Sequence, residues 1–339
     1  MGQVRFGFKL SIHGQRTDVR FSDLLRLAQH AEEAGFDGVY VVDHLLLPGS
    51  RLTGYTDADP ARPYFLDAWT SLAALAAATD RIRVGPQVTP IGLRHPAMVA
   101  KWAMTVDQIS DGRLLLQLGA GHQQVEYESF GFPYPGLRER VARLREGVEL
   151  IRALWSSEEP ASYQGEHYQL REVPFWPKPV QPRPEIWLGG SSKWIRALVP
   201  ELADGWAPAT PQGAGLDPEF FREHLPPIRQ AAAGRPLAAG GMFFTVVDED
   251  PAVVERGLAV LRRRADWSDW PLQRFQQRGV ALAGSPAEVI AAVERYIAVG
   301  LEYFTVGFVP LDDLAAAHQG IERYREAIIP HFAGVRVEC

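Results

Sequence analysis

The chain has 339 residues, 46% apolar and 22% charged, a balance that allows a large buried core and excludes a disordered protein. Its formal net charge of -6 and a densest basic run of only three residues, Arg262-Arg263-Arg264, argue against a nucleic-acid partner, which would need a concentrated cationic surface. Cys339 is the only cysteine, which excludes disulfide scaffolds and CxxC sites and suits the cytoplasm. The opening alternation Val4, Phe6, Phe8, Leu10 is unlike a signal peptide, and no apolar run is long enough to span a membrane.

Short β-branched or aromatic runs alternate with longer segments of helical period, the pattern of a parallel sheet wrapped by helices. In chain order, strands are expected near Arg5–Lys9, Gly38–Val42, Ile82–Val88, Leu114–Leu118, Glu185–Leu188, Gly205–Ala207, Gly241–Val247 and Tyr303–Phe308. Helices are expected over Phe21–Ala34, Asp67–Ala78, Pro96–Ile109, Arg138–Leu154, Lys193–Leu202, Pro218–Ala233, Pro251–Arg264, Pro286–Val299 and Asp312–Ile328. Several are bounded by clear signals. Gly35, Asp111-Gly112 and Gly300 suit left-handed helix ends, and Ser285-Pro286-Ala287-Glu288 reads as a complete capping box. Eight such repeats make an α/β fold, a (β/α)8 TIM barrel with insertions, forming one domain over residues 1–339.

Three connections are too long to be ordinary turns: Leu45–Phe65, Gly119–Gly136 and the proline-rich Glu158–Pro184, the last expected as a rigid extended lead into strand five. The first two follow strand carboxyl ends, where barrel enzymes assemble their active sites.

Strand two runs into Asp43-His44. A carboxylate beside an imidazole suits proton transfer, since it can orient the ring or raise its pKa; equally, Asp43 could cap the next loop while His44 packs. Strand four leads into Gly119-Ala120-Gly121-His122, where glycines let backbone approach a planar ligand. A dinucleotide fingerprint is excluded by the missing third glycine and by its position after the fourth strand. Strand five is followed by Gly189-Gly190-Ser191-Ser192 and a helix, either a phosphate cradle or a plain turn with an N-cap. His122, Glu126 and Glu128 have no metal-site spacing; the two glutamates read as helix-surface charges, and no metal is expected. No GxSxG elbow supports Ser/His/Asp hydrolysis. Trp102, Trp155, Trp176, Trp187 and Trp206 read mostly as core fillers.

Together these segments resemble the luciferase-like monooxygenase superfamily, especially its coenzyme F420-dependent oxidoreductases, over nearly the whole chain. The most specific stretch is Gly112-Arg113-Leu114-Leu115-Leu116-Gln117-Leu118-Gly119-Ala120-Gly121-His122, followed by Glu126-Tyr127 and Phe130-Gly131-Phe132-Pro133. Glu33-Ala34-Gly35-Phe36-Asp37, Asp43-His44, Pro177-Lys178-Pro179-Val180-Gln181 and Pro184 through Ser191 join it.

The resemblance implies that Asp43 and His44 lie beside a deazaflavin ring, with His44 the acid/base. It implies that a bulge at Gly85–Thr89, with a non-prolyl cis peptide at Gln87–Val88, supports one ring face. It further implies that Gly119, Ala120, Gly121 and His122 approach the ring and that Gly189, Gly190, Ser191 and Ser192 hold the phosphate. The activity implied is hydride transfer between coenzyme F420 and a small organic substrate; an FMN-dependent monooxygenase is the alternative. Some related dehydrogenases carry Glu where this chain has His122. Their sugar-phosphate-binding basic residues lack clear counterparts here, so a sugar phosphate is not the expected substrate. Beyond that small molecule, the partner expected is a second copy of the chain in a homodimer.

Overall fold

The computed structural model describes residues 2–14, 19–46, 64–210, 215–263 and 265–337. Eight parallel strands form its centre: β1 Arg5–Lys9, β2 Gly38–Val41, β3 Arg83–Pro86, β4 Leu116–Gly119, β5 Ile186–Gly189, β6 Gly205–Ala207, β7 Ala238–Val247 and β8 Tyr303–Phe308. They are hydrogen-bonded in the order β3-β2-β1-β8-β7-β6-β5-β4. Between β3 and β4 the ring is completed by a parallel bridge from Val84 to Leu114, with Leu115 N donating to Val84 O at 2.9 Å. The sheet is thus nearly closed into a barrel, as the eight strand–helix repeats predict.

Alternation sorts the strand residues into two cores. Phe6 and Phe8 of β1 face outward and pack on Phe36, Phe308 and Tyr324 beneath the helices. Gly7, between them, faces the lumen, where a Cβ would come within 2.7 Å of the Tyr40 ring. Tyr40 and Tyr303 share a buried hydrogen bond of 2.7 Å, and Trp187 packs edge-on to Tyr303. This aromatic plug fills the lumen, so chemistry is confined to the strand ends above it.

The helices surround the sheet: α1 Phe21–Glu33, α2 Ala68–Ala78, α3 Pro96–Ile109, α4 Leu137–Ser156, α5 Lys193–Leu202, α6 Pro218–Ala231, α7 Pro251–Leu261, α8 Pro286–Ile297 and α9 Leu314–Arg323. Gly35 at φ 92° and Gly300 at φ 89° occupy left-handed helix ends. The capping box forms: Glu288 N donates to Ser285 Oγ at 3.3 Å and Ser285 N donates to Glu288 Oε2 at 2.8 Å.

Four expectations need correction. The segment before β5 is not simply extended: Ala161–Gln164 and Gln169–Val173 pair as an antiparallel hairpin, anchored by Glu146, which accepts from the N–H groups of Glu166, His167 and Tyr168. An additional strand, Ala281–Gly284, pairs with the end of β7; its four small or aliphatic residues carry too little alternation to be read as a strand. The final helix is interrupted, α9 giving way to a wider turn over Tyr324–Ile328. Trp176 is 61% exposed and fills no core, since Lys178 and Lys101 hold its loop on the outer surface of α3 and α4.

Candidate active site

Strand β2 delivers Asp43 and His44 to the carboxyl-end mouth of the barrel. The two side chains diverge. Asp43 is fully buried; its Oδ2 accepts from Thr89 Oγ1 at 2.8 Å and its Oδ1 lies 2.7 Å from Arg94 Nη2. Burial pushes the Asp43 carboxyl above its ordinary range, against the pull of the Arg94 guanidinium and the Thr89 hydroxyl. Asp43 therefore ties β2 to the segment after β3, and it is not the group that orients His44.

That group is Glu126. His44 Nδ1 lies 3.0 Å from Glu126 Oε2, and Glu126 Oε1 accepts from the backbone N–H groups of Leu45 and Leu46. Glu126 sits in a short helix, Gln124–Ser129, inside the long connection after β4. It is wholly buried, contrary to its reading as a surface charge, whereas Glu128 of the same helix is exposed and accepts from Gln124. Nothing within six residues of helix distinguishes the two; the loop leaving β2 covers one and not the other. His122 is exposed at the rim, its ring centroid 5.6 Å from that of His44, and pairs with Gln123 Nε2 at 3.0 Å.

The bulge after β3 contains a cis peptide at Gln87–Val88, the one non-prolyl cis bond among the described residues. Across it the chain changes partner: β3 pairs with β2, while Thr89-Pro90 pairs with Leu118-Gly119 of β4. Gln87 N donates to Val41 O at 2.7 Å and Gln87 Nε2 to Thr305 Oγ1 at 3.2 Å; the Gln87 Oε1 is buried without a partner. Val88 reaches across two strand ends. A Cβ on Gly119 would lie 2.7 Å from Val88 Cγ2, and one on Gly189 2.8 Å from Val88 Cγ1. Both positions need glycine to seat Val88, an intramolecular reason not visible in the motif.

Beyond β5, Ser192 caps α5 by accepting from Ile195 N at 3.3 Å. Gly190, at φ 108°, places its carbonyl to accept from Trp206 Nε1 at 2.9 Å, and Arg196 Nη1 donates to Ser191 O at 2.7 Å. The turn and cap are thus formed as drawn from sequence, with the first-turn amides of α5 facing the same end of the barrel. Gly121, at φ 80°, packs under Tyr127, next to a cavity of about 270 Å³ lined by Arg94, His95, Ala120, Tyr127, Arg140 and Tyr168. The basic lining of this cavity has no signal in the sequence, because Arg94 and His95 come from the segment after β3 and Arg140 from α4. Among the described residues no cluster could hold a metal ion, and no helix is long and apolar enough to cross a membrane.

A family model described as luciferase-like monooxygenase matches residues 4–303. The chain belongs to this family. A luciferase-like relative from Beutenbergia cavernae, named F420-dependent glucose-6-phosphate dehydrogenase, is 30% identical over 96% of this chain and 97% of its own length. Among solved structures, an F420-dependent secondary alcohol dehydrogenase in complex with an F420-acetone adduct superposes with a TM-score of 0.77 at 21% identity, covering 96% of this chain and 98% of that one. Monooxygenase RslO1 from Streptomyces bottropensis superposes with a TM-score of 0.78 at 22% identity, covering 97% of this chain and 99% of that one. These two likenesses carry the luciferase-like barrel fold.

Proposed function

We propose that the protein is a coenzyme F420-dependent oxidoreductase that moves a hydride between the deazaflavin and a small organic substrate. The observation that carries this reading is the His44–Glu126 pair, a proton-transfer group fixed at the barrel mouth beside the Gln87–Val88 bulge. The F420-dependent relative matched over nearly the full chain supplies the choice of cofactor.

The residues fit the group. Gln87 Oε1 is a buried acceptor left over at the mouth, and the bulge presents Val88 as an apolar platform between Gly119 and Gly189. His44, Gln87, Val88, Gly119, Ala120, Gly121 and His122 would hold the ring, with Asp43 fixing the strand end behind them; Gly189, Gly190, Ser191 and Ser192 would hold the phosphate at the N-terminus of α5. When bound, F420 supplies a carbon centre that accepts or donates two electrons as hydride.

The protein supplies the proton. Glu126 is acceptor-only, so it fixes the His44 tautomer with hydrogen on Nδ1 and leaves the Nε2 lone pair for the substrate. In the oxidising direction Nε2 takes the hydroxyl proton as the carbinol carbon loses hydride, and Glu126 stabilises the imidazolium that results. In the reducing direction the same nitrogen returns the proton to the carbonyl oxygen. Asp43 touches no substrate in this scheme; with Thr89 and Arg94 it holds the mouth in shape.

The similar TM-score to a monooxygenase favours one alternative, an FMN-dependent monooxygenase on the same barrel. Titration with oxidised F420 and with FMN separates the two: F420 should bind more tightly, and equal or tighter FMN binding with substrate-dependent oxygen consumption would reverse the assignment. We further place the chain in the cytoplasm, as one barrel domain over residues 1–339 that assembles as a homodimer. Exposed Ile109, Trp176 and Val180 on the α3 side offer an apolar face for that association, which sedimentation of wild type against Trp176→Glu would test.

A further inference from the structure

We propose that Lys9 is a specificity-determining residue whose ammonium receives a carboxylate of the substrate, making the substrate an organic monoanion. This rests on the hydride-transfer reading above for the identity of the site, and on the following geometry for the identity of the group.

Lys9 is the last residue of β1 and alternates with Gly7, so its side chain enters the lumen side of the mouth above the aromatic plug. Its stem packs over Gly307, where a Cβ would come within 3.4 Å of Lys9 Cδ, and its Nζ stands 5.8 Å from the centre of the Phe244 ring. It is only 8% exposed, yet among the described residues it makes no hydrogen bond or ion pair. Asp312 and Asp313 line the same cleft with Ser11 and His13. Neither forms an ion pair with Lys9, and Asp313 is engaged by the N–H groups of Ala315 and Ala316 at the start of α9.

A buried charge without a counter-ion is costly, and proteins retain one where a ligand completes the pair. Burial pulls the Lys9 ammonium down to about 8, with no neighbouring carboxylate offsetting it. At neutral pH the group still carries its proton, so the missing partner is an anion. His44 follows the end of β2, the strand hydrogen-bonded to β1, on which Lys9 pairs with Tyr40. An anion on Lys9 would thus lie at the same carboxyl end of the barrel as the proton-transfer group, one strand away. Burial disfavours a proton on His13, and among the described residues lining this cleft Lys9 is the one lysine or arginine, which matches a carboxylate better than a doubly charged phosphate.

The chain has only four lysines, Lys9, Lys101, Lys178 and Lys193, so 13Cε-lysine NMR of the whole protein resolves each, with Lys9→Arg assigning the signal. We expect acetate, propionate and benzoate to shift the Lys9 resonance saturably and to raise its titration midpoint toward the ordinary lysine value. The matching amides should leave it unmoved, as should all probes at the other three lysines. No response to any carboxylate, or an equal response to the amides, overturns the proposal. Lys9→Met should bind F420 within about twofold of wild type; a tenfold loss would make Lys9 part of the cofactor site and also overturn it. If wild type fails to bind F420 at all, the cofactor reading fails while the carboxylate titration still stands or falls by itself.

Discussion

His44 and Glu126 are 82 residues apart in the chain and 3.0 Å apart in the barrel mouth, Nδ1 to Oε2. The pair joins the end of β2 to the short helix after β4, and the second Glu126 oxygen also fastens the Leu45 and Leu46 amides. One buried carboxylate thus sets both the ring orientation and the path of the loop leaving β2. Positioned general acid/base groups contribute roughly 10²–10⁴ in rate, so His44→Ala should lower kcat by that range in enzyme saturated with cofactor and substrate. Cofactor affinity should fall much less. A His44 that only packs would show the opposite split, with weaker cofactor binding and unchanged kcat.

Glu126→Gln tests the tautomer argument separately from packing. The amide keeps the shape and an acceptor for the loop amides, so stability should change little. If that acceptor stays on the loop, the amide N–H faces His44 Nδ1, and the imidazole must move its proton to Nε2 to accept it. A wrong-tautomer histidine is a poor base, and the effect of such a swap in a related hydrogen-bonded arrangement reaches about 10⁴. We expect kcat to fall by about 10²–10⁴ with the thermal midpoint nearly unmoved, and the imidazole 15N shifts of His44 to report the change of protonated nitrogen. Unchanged 15N shifts together with full activity would leave Glu126 a loop fastener only.

Lys9→Met should stabilise the protein. The folded-state pKa of Lys9 is about 8 against an ordinary 10.5, so between these pH values the unfolded state holds more protons and stability rises with pH. Below about pH 8 both states are protonated and the penalty is complete, on the order of 3 kcal/mol for a shift of this size. The variant's advantage in denaturant unfolding should therefore be largest at pH 7 and shrink between pH 8 and 10.5. A constant advantage across that range would mean that packing of the Met side chain, and not the buried charge, is responsible.

The sequence carries the barrel because its strands are parallel and buried on both faces, so each reads as a compact apolar run between helices with strong end signals. β1, β6 and β8 lie at their expected residues for this reason. The same local signals place Asp43, His44, Gly119 and Ser192 at strand ends. They cannot say which carboxylate meets His44, since Asp43 is adjacent in sequence and Glu126 is brought in only when two loops pack together. The long connection Leu45–Phe65, expected at the active-site end of the barrel, falls largely on residues 47–63, which lie outside the described residues. Lys9 was legible as a strand residue only; its burial depends on Gly307 of the neighbouring β8 and Phe244 of β7, both far from it in sequence.

Gly119 distinguishes room for a ligand from room for a neighbouring side chain. A methyl at this position would lie 2.7 Å from Val88 Cγ2, and Val88 is held on its other side by Gly189, where a methyl would lie 2.8 Å from Cγ1. Val88 is short and branched, so it cannot swing its end away as a long side chain would. Gly119→Ala should therefore destabilise the protein by about 1–3 kcal/mol, the usual cost of overpacking, even without cofactor. Val88→Ala removes both clashing methyls, and in that background Gly119→Ala should cost well under 1 kcal/mol, a coupling of about 1–2 kcal/mol that a double-mutant cycle in denaturant resolves. If ligand clearance were the whole reason for glycine, Gly119→Ala would leave apoprotein stability unchanged and weaken only cofactor binding. Val88→Ala would then provide no rescue, and the packing account of this strand end would have to be given up.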